Sequence, residues 1–232
     1  MFTCIVVEPE IEGNLGFLAR TMANFEVEQL ILVDPDAPVG EEARNRAVKA
    51  QDILDDARIE DTLDDALDHV DVAVGTTARD AESSNVLRNA VSPEEMAERA
   101  NKVDGDIGIV LGRESKGLSN EELDLCDFAV TIPTSDDYPV MNITHAAAVM
   151  FYECFKHRNN DTQGEASSRG EKETLNNIFK NMLTTLDYSD AERERILRCM
   201  KNFVGRSFLH KQEAHTLIGF FKNVENKLQG DN

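Results

Sequence analysis

Four side chains stand in settings that an α/β protein uses for chemistry. Asn14 and Arg20 lie in Ile11-Glu12-Gly13-Asn14-Leu15-Gly16-Phe17-Leu18-Ala19-Arg20. Glu114 lies in Gly112-Arg113-Glu114-Ser115-Lys116-Gly117-Leu118, and Asn142 closes the loop that starts at Ile132-Pro133. Each group follows a short apolar run and precedes a helical one; open α/β sheets bind ligands at such carboxyl ends of strands. The first group resembles a nucleotide loop in outline, yet Gly13 and Gly16 do not make the G-x-G-x-x-G of a dinucleotide site. Arg20 is a permanent cation and a poor proton acceptor, and its fork suits phosphate oxygens. Taken singly, each group also has an ordinary reading: a capped helix with a surface arginine, a plain strand–loop–helix connection, an Asn that only caps. The three together, in this order, are what single them out.

Other chemistries are poorly provided for. Cys4, Cys126, Cys154 and Cys199 form no C-x-x-C pair, and the apolar neighbours of the first three point to reduced, mostly buried thiols. The five histidines have no metal-ligand spacing; His210 and His215, five apart, fall on different helix faces, so no metal is expected. No apolar run reaches membrane-spanning length, and Met-Phe-Thr-Cys enters a strand with no leader pattern, which predicts a cytoplasmic protein without a membrane partner. With 44 acidic and 24 basic residues the net charge is −20, and lysine is scarce at 10. That balance points to a salt-rich cytosol, where screening tolerates dense carboxylates. It argues at first sight against nucleic acid, although motif position gathers Arg20, Arg79, Arg88 and Arg113 about one site.

The elements that must position these residues follow from the apolar pattern. Strands are expected over 3–8, 29–33, 70–75, 107–111 and 128–132, and helices near 15–25, 41–56, 62–69, 92–101, 119–125 and 142–157. Ser92-Pro93 and Ser119-Asn120-Glu121-Glu122 are helix starts, the second a capping box. Short apolar strands alternating with helices predict a parallel α/β sheet covered on both faces. Residues 158–171 contain a single apolar residue, Ala166, and read as a linker between a domain over 1–157 and a separate helical domain over 172–232. The latter reads as two or three helices, with an apolar stripe of Ile178, Met182, Leu183 and Leu186 and a basic set that includes Arg193, Arg198, Lys201 and Arg206.

N-x-G-x-x-x-R, then a strand with G-x-E-x-x-G-L, then I-P before an Asn-capped helix, resembles the SpoU branch of the SPOUT methyltransferases. Gly75-Thr76-Thr77-Ala78-Arg79 and the tail's Phe203-Val204-Gly205-Arg206 are similar to the TrmJ group of that branch. The resemblance covers nearly the whole chain. It implies a parallel sheet closed by a C-terminal deep trefoil knot, which periodicity does not predict and general topology disfavours. It further implies 2′-O-methylation of a tRNA ribose, with anticodon-loop nucleotide 32 as target, S-adenosylmethionine as methyl donor, and a homodimer.

On these residues the resemblance places donor binding at Thr76, Thr77, Ala78, Gly112, Ile132, Pro139, Val140 and Met141, mostly through backbone groups. Arg20 matches the essential arginine near the subunit interface; Asn14, Glu114 and Asn142 would hold it and the loops in place. A side chain at Gly112 is expected to collide with the donor. One departure stands out: relatives carry Ser-Leu-Asn where this chain has Val140-Met141-Asn142, so a hydroxyl is absent. Alternatives are a ribosomal RNA methyltransferase of the same fold and a catalytically silent RNA-binding protein; a nucleotide-dependent oxidoreductase lacks its glycine signature.

Overall fold

The computed structural model describes residues 1–78, 90–158 and 164–229. Arg79 and Arg88 lie outside them. Six strands form one sheet: β1 (Phe2–Val7), β2 (Gln29–Val33), β3 (Arg58–Glu60), β4 (Val72–Thr76), β5 (Ile107–Leu111) and β6 (Phe128–Val130). Their order is β3-β2-β1-β5-β4-β6 and every pairing is parallel. Apart from the edge strand β3, the strands are mostly buried on both faces, as parallel strands under helices must be. In β1, Cys4 and Val6 pack into one core and Ile5 and Val7 into the other. Leu30 and Leu32 of β2 repeat that division against Ile31 and Val33.

Between the strands run α1 (Glu12–Asn24), α2 (Glu41–Ala47), α3 (Gln51–Asp55), α4 (Leu63–Leu67), α5 (Pro93–Ala100) and α6 (Asn120–Leu125), and α7 (Ile143–Lys156) follows β6. Ser92 caps α5 and Ser119 with Glu122 closes a capping box on α6, as their spacing predicts. The single helix expected over 41–56 is two, broken where Val48 turns into the left-handed region at φ 57°. The edge strand β3 escapes sequence reading because it is three residues long, largely exposed and bears no apolar alternation. Asn14 is no cap: α1 begins two residues earlier at Glu12, and Ile11 at its N-cap makes no side-chain bond.

After α7 come α8 (Arg169–Thr184), α9 (Asp190–Arg206) and α10 (Lys211–Gln229). The compositional linker ends early, because Ser168 and Glu171 form a capping box that starts α8 at Arg169. These helices also contact the sheet. Phe208 and Ala166 belong to the main core, and the Phe208 ring meets Phe128 edge-on at 5.5 Å. Lys172, nearly buried, pairs with Asp127 at 2.6 Å, whose Oδ2 also accepts the Ala73 N–H. A Cβ on Gly205 would sit 2.4 Å from the Asp127 carbonyl oxygen, so glycine is what lets α9 press on the sheet. Polar composition marks a linker over 158–171, yet its described end is tied to the body: the Asp104 N–H donates to the Gly164 carbonyl and the Ala166 N–H to the Asp104 carbonyl. Along α8 the buried apolar residues are Leu175, Ile178 and Leu183, while Leu186 beyond its end is exposed.

Candidate active site

Because the sheet is parallel, β1, β5, β4 and β6 end on one edge, and they are consecutive in it. The motifs of the sequence leave from these ends. Glu8 turns left-handed at φ 43° immediately after β1 and leads into α1. Gly112 follows β5, Thr77 follows β4, and Thr131 and Ile132 follow β6.

The loops after β1 and β5 are stitched to one another. The Asn14 amide donates Nδ2–H to Oε1 of Glu114 at 2.8 Å, and the Glu10 backbone N–H donates to Oε2 at 2.9 Å. Glu10 in turn accepts the N–H and hydroxyl of Ser115 at 2.8 and 2.7 Å. Asn142 donates from its Nδ2 to the side-chain Oδ1 of Asn14 at 3.5 Å, the limit of a hydrogen bond. The Asn142 Oδ1 meanwhile caps α7 by accepting the Thr144 N–H at 2.8 Å. Asn14, Glu114 and Asn142, from three distant motifs, therefore form one connected group.

Beneath this group lies Arg113, only 8% exposed. Its guanidinium donates to both oxygens of Glu8 and to both of Glu122, at 2.9 and 2.7 Å for the latter. Its hydrogen bonds to Glu8 and Glu122 push the Arg113 pKa further up, and the same bonds hold both carboxyls below the usual range. The Ser115 bonds do likewise for Glu10. Motif position placed Arg113 among RNA-facing cations; the structure corrects this, since all its donor capacity is spent inside the protein. Glu8, Glu10 and Ser115 were missed by sequence reading. Their types carry no periodic signal, and only the fold brings residues 105 apart together.

Close backbone approach accounts for two of the glycines. A Cβ at Gly112 would lie 2.2 Å from the Gly117 carbonyl carbon and 2.3 Å from the Leu118 nitrogen. Glycine is needed there because the loop folds back on itself, with Gly117 left-handed at φ 68°, before any ligand is considered. At Gly16 a Cβ would meet the Ala43 carbonyl oxygen at 2.2 Å, so this glycine serves helix packing of α1 on α2.

Thr76 donates its hydroxyl to the Val110 carbonyl at 2.9 Å, and the Thr77 N–H donates to Val130 at 3.0 Å, tying the exit of β4 to β5 and β6. Ile132 is half-buried against the core, whereas Pro139 and Val140 are exposed and Met141 is half-buried. Thr131 Oγ1 is buried and has no hydrogen-bond partner, an unmet polar group at the end of β6. Ala78 is exposed. Arg20 is exposed and makes no ion pair or hydrogen bond among the described residues. It lies six residues beyond Asn14, which is about 9 Å along the helix and roughly 120° round it, so the connected group holds its helix and leaves the guanidinium free. A possible metal cluster, Glu94, Glu98 and His157, sits elsewhere, on α5 and beyond α7, and is largely exposed.

The SpoU rRNA Methylase family matches residues 1–152. A relative from Methanocaldococcus jannaschii, tRNA (cytidine-2′-O-)-methyltransferase TrmJ, is 37% identical over 227 residues, covering 96% of this chain and 99% of its own. The tRNA (cytidine/uridine/adenosine-2′-O-)-methyltransferase TrmJ of Pseudomonas aeruginosa is 30% identical, covering 97% of this chain and 94% of its own. The crystal structure of TrmJ from Z. mobilis superposes with a TM-score of 0.74 at 25% identity, covering 97% of this chain and 99% of that one.

Proposed function

The chain belongs to the SpoU methylase family, and from that premise we propose that it transfers the methyl group of S-adenosylmethionine to a ribose 2′-hydroxyl of tRNA. One observation supports the assignment most directly: Asn14, Glu114 and Asn142 meet beside the strand ends, with an unpaired Arg20 on the helix they anchor. The printed names of relatives matched over nearly their whole length give the same substrate class.

The strand ends fit the methyl donor. Thr131 Oγ1 is buried and unpartnered, half-buried Ile132 offers apolar surface, and the backbone around Thr77 and Gly112 leaves the sheet at the same edge. Thr76, Thr77, Ala78, Gly112, Ile132, Pro139, Val140 and Met141 form the donor site in this reading. A sulfonium supplies an already activated methyl group. The bond formed is C–O at the ribose, the bond broken is C–S, and the hydroxyl proton leaves to solvent or phosphate, so no metal is called for.

The protein's own work is alignment. Arg20, a cation at every relevant pH, clamps a phosphate beside the target ribose and orients its hydroxyl. Asn14, Glu114 and Asn142 are positioning residues that fix α1 and hence Arg20. Residues 1–157 carry donor binding and chemistry through a C-terminal trefoil knot, and α8–α10 are an accessory region. Exposed Phe17 on α1 and Tyr152 and Phe155 on α7 provide the apolar face for a homodimer. Nucleotide 32 of the anticodon loop is the proposed target. Relatives differ in the bases they accept, and the replacement of a family serine by Val140 bears on that choice.

The test is incubation in molar potassium chloride with S-adenosylmethionine and unmodified tRNA, followed by mapping of ribose methylation by mass spectrometry. Arg20→Ala is expected to keep donor binding and lose methyl transfer by about a hundredfold or more, the scale of removing one aligned charge-stabilising donor. Donor binding without any marked tRNA in the parent chain would overturn the proposal in favour of a silent binding role.

A further inference from the structure

A cavity of about 340 Å3 lies between β6 and α6 on one side and α8 and α9 on the other. No residue of the proposed methyl-donor site lines it. Its apolar surface comes from Phe128, Cys126 and Leu197, and four cations surround it: Lys180, Arg198, Lys201 and Arg206.

Some cations of this acidic chain pair with carboxylates, as Arg44, Arg99, Arg113, Lys156, Arg169 and Lys211 do, while others such as Arg20 and Lys116 have no ion pair among the described residues. The four here are distinguished by meeting about one cavity. Among the described residues none of the four at the cavity has a carboxylate in an ion pair. Lys201 donates to the backbone carbonyl of Asp124, the one acid of the lining, and Arg206 Nε donates to the Asn202 carbonyl of its own helix. Among the described residues Arg198 and Lys180 have no hydrogen-bond partner.

A second feature is independent of charge. Asn176 Oδ1, on the α8 wall, is buried and has no hydrogen-bond partner. A buried acceptor left unmet costs free energy that a donor from a ligand restores. Unpaired cations, an acceptor seeking an N–H or O–H, and an apolar floor together describe one ligand chemistry.

We infer that this cavity binds a nucleoside phosphate, its phosphate on the Arg198 and Lys180 side and a base or ribose donor on Asn176. Two sources share that chemistry: a nucleotide of the bound tRNA outside the target loop, or a free mononucleotide. The first rests on the proposed function; the second does not.

The experiment measures tRNA affinity by fluorescence anisotropy at several salt concentrations, and cytidine 5′-monophosphate binding by calorimetry, in the full chain. Variants are the double Lys180→Ala/Arg198→Ala, the charge-keeping Lys180→Arg/Arg198→Lys, and Asn176→Leu, each checked for an unchanged melting temperature. If tRNA is the source, the alanine pair weakens it about ten- to a hundredfold and lowers the salt slope by about 2. Donor affinity stays as in the parent, and the charge-keeping pair retains tRNA binding. If the source is a free nucleotide, the alanine pair and Asn176→Leu abolish monophosphate binding and leave tRNA affinity alone. Unchanged binding of both ligands overturns the inference, as does an equal loss in the charge-keeping pair. A chain that methylates no tRNA but binds the monophosphate here would sink the proposed function and leave this site standing; a methylating chain whose tRNA and monophosphate binding are both unchanged by the alanine pair would do the reverse.

Discussion

Asn14 and Glu114, 100 residues apart, are joined by a 2.8 Å hydrogen bond from Nδ2 to Oε1. The other carboxylate oxygen takes the Glu10 N–H, so both oxygens of Glu114 act as acceptors. Glu114→Gln replaces one acceptor with a donor facing another donor. A hydrogen bond to a charged group contributes about 1.5–3 kcal/mol, which sets the expected loss of methyl transfer at roughly 10- to 100-fold. Initial rates on unmodified tRNA measure it. A rate equal to the parent's would show that the stitched loops are architecture alone.

Arg113 sits between Glu8 and Glu122, and removing it strands two carboxylates. Loss of one partner from a buried pair costs about 3–5 kcal/mol; Glu8 is 34% exposed, so water recovers part and Arg113→Ala should cost about 2–4 kcal/mol. Chemical denaturation reads this directly. On the folded variant, tRNA affinity should match the parent's, because the guanidinium faces inward. A large selective loss of tRNA binding would return Arg113 to the RNA surface.

Acid should loosen the same region. Glu8, Glu10 and Glu122 are held below the ordinary glutamate value of 4.5 by their bonds to Arg113 and Ser115. A carboxyl lowered in the folded state binds fewer protons there than in the unfolded chain. Its stabilisation is therefore complete above pH 4.5 and is lost as pH falls through the lowered values. Melting temperatures from pH 6 to 3 should decline at the acid end, and Glu8→Gln should flatten that decline. An identical acid limb in the variant would remove Glu8 from the account.

Two glycines should separate packing from ligand. Gly16→Ala drives a Cβ to 2.2 Å from the Ala43 oxygen, forcing α1 and α2 apart. The cost is about 3 kcal/mol, the upper end for overpacking, with S-adenosylmethionine affinity kept below the melting point. Gly112→Ala displaces the Gly117–Leu118 backbone and with it the loop that bears Glu114, so donor affinity should fall as well. Calorimetry on both variants tests the contrast; equal donor affinity in both would refute it.

Val48 and β3 mark where local reading stopped in the fold. A β-branched residue at positive φ has no sequence signature, and a three-residue edge strand takes its conformation from its neighbour's hydrogen bonds. The stretch 158–171 failed for a related reason. Composition reports what a segment does not bury, and the buried serine at 167 and the core residue Ala166 are small. In the site, Asn14, Glu114 and Asn142 were legible because their motifs recur as a set; their mutual bonds were not.

By itself the sequence determined the parallel α/β class, the strand ends that bear the motifs, and the methyltransferase family, because apolar periodicity and short motifs are local properties of the chain. Tertiary structure decided which charges remain available. Arg113 and Arg20 are indistinguishable as letters, yet one is enclosed by two glutamates and the other is exposed with no partner among the described residues. Tertiary structure also decided that Lys180 and Arg198, on different helices, border one cavity. The reason is common to both: a charge acts over a few ångströms, and only the folded chain brings residues a hundred positions apart within that distance.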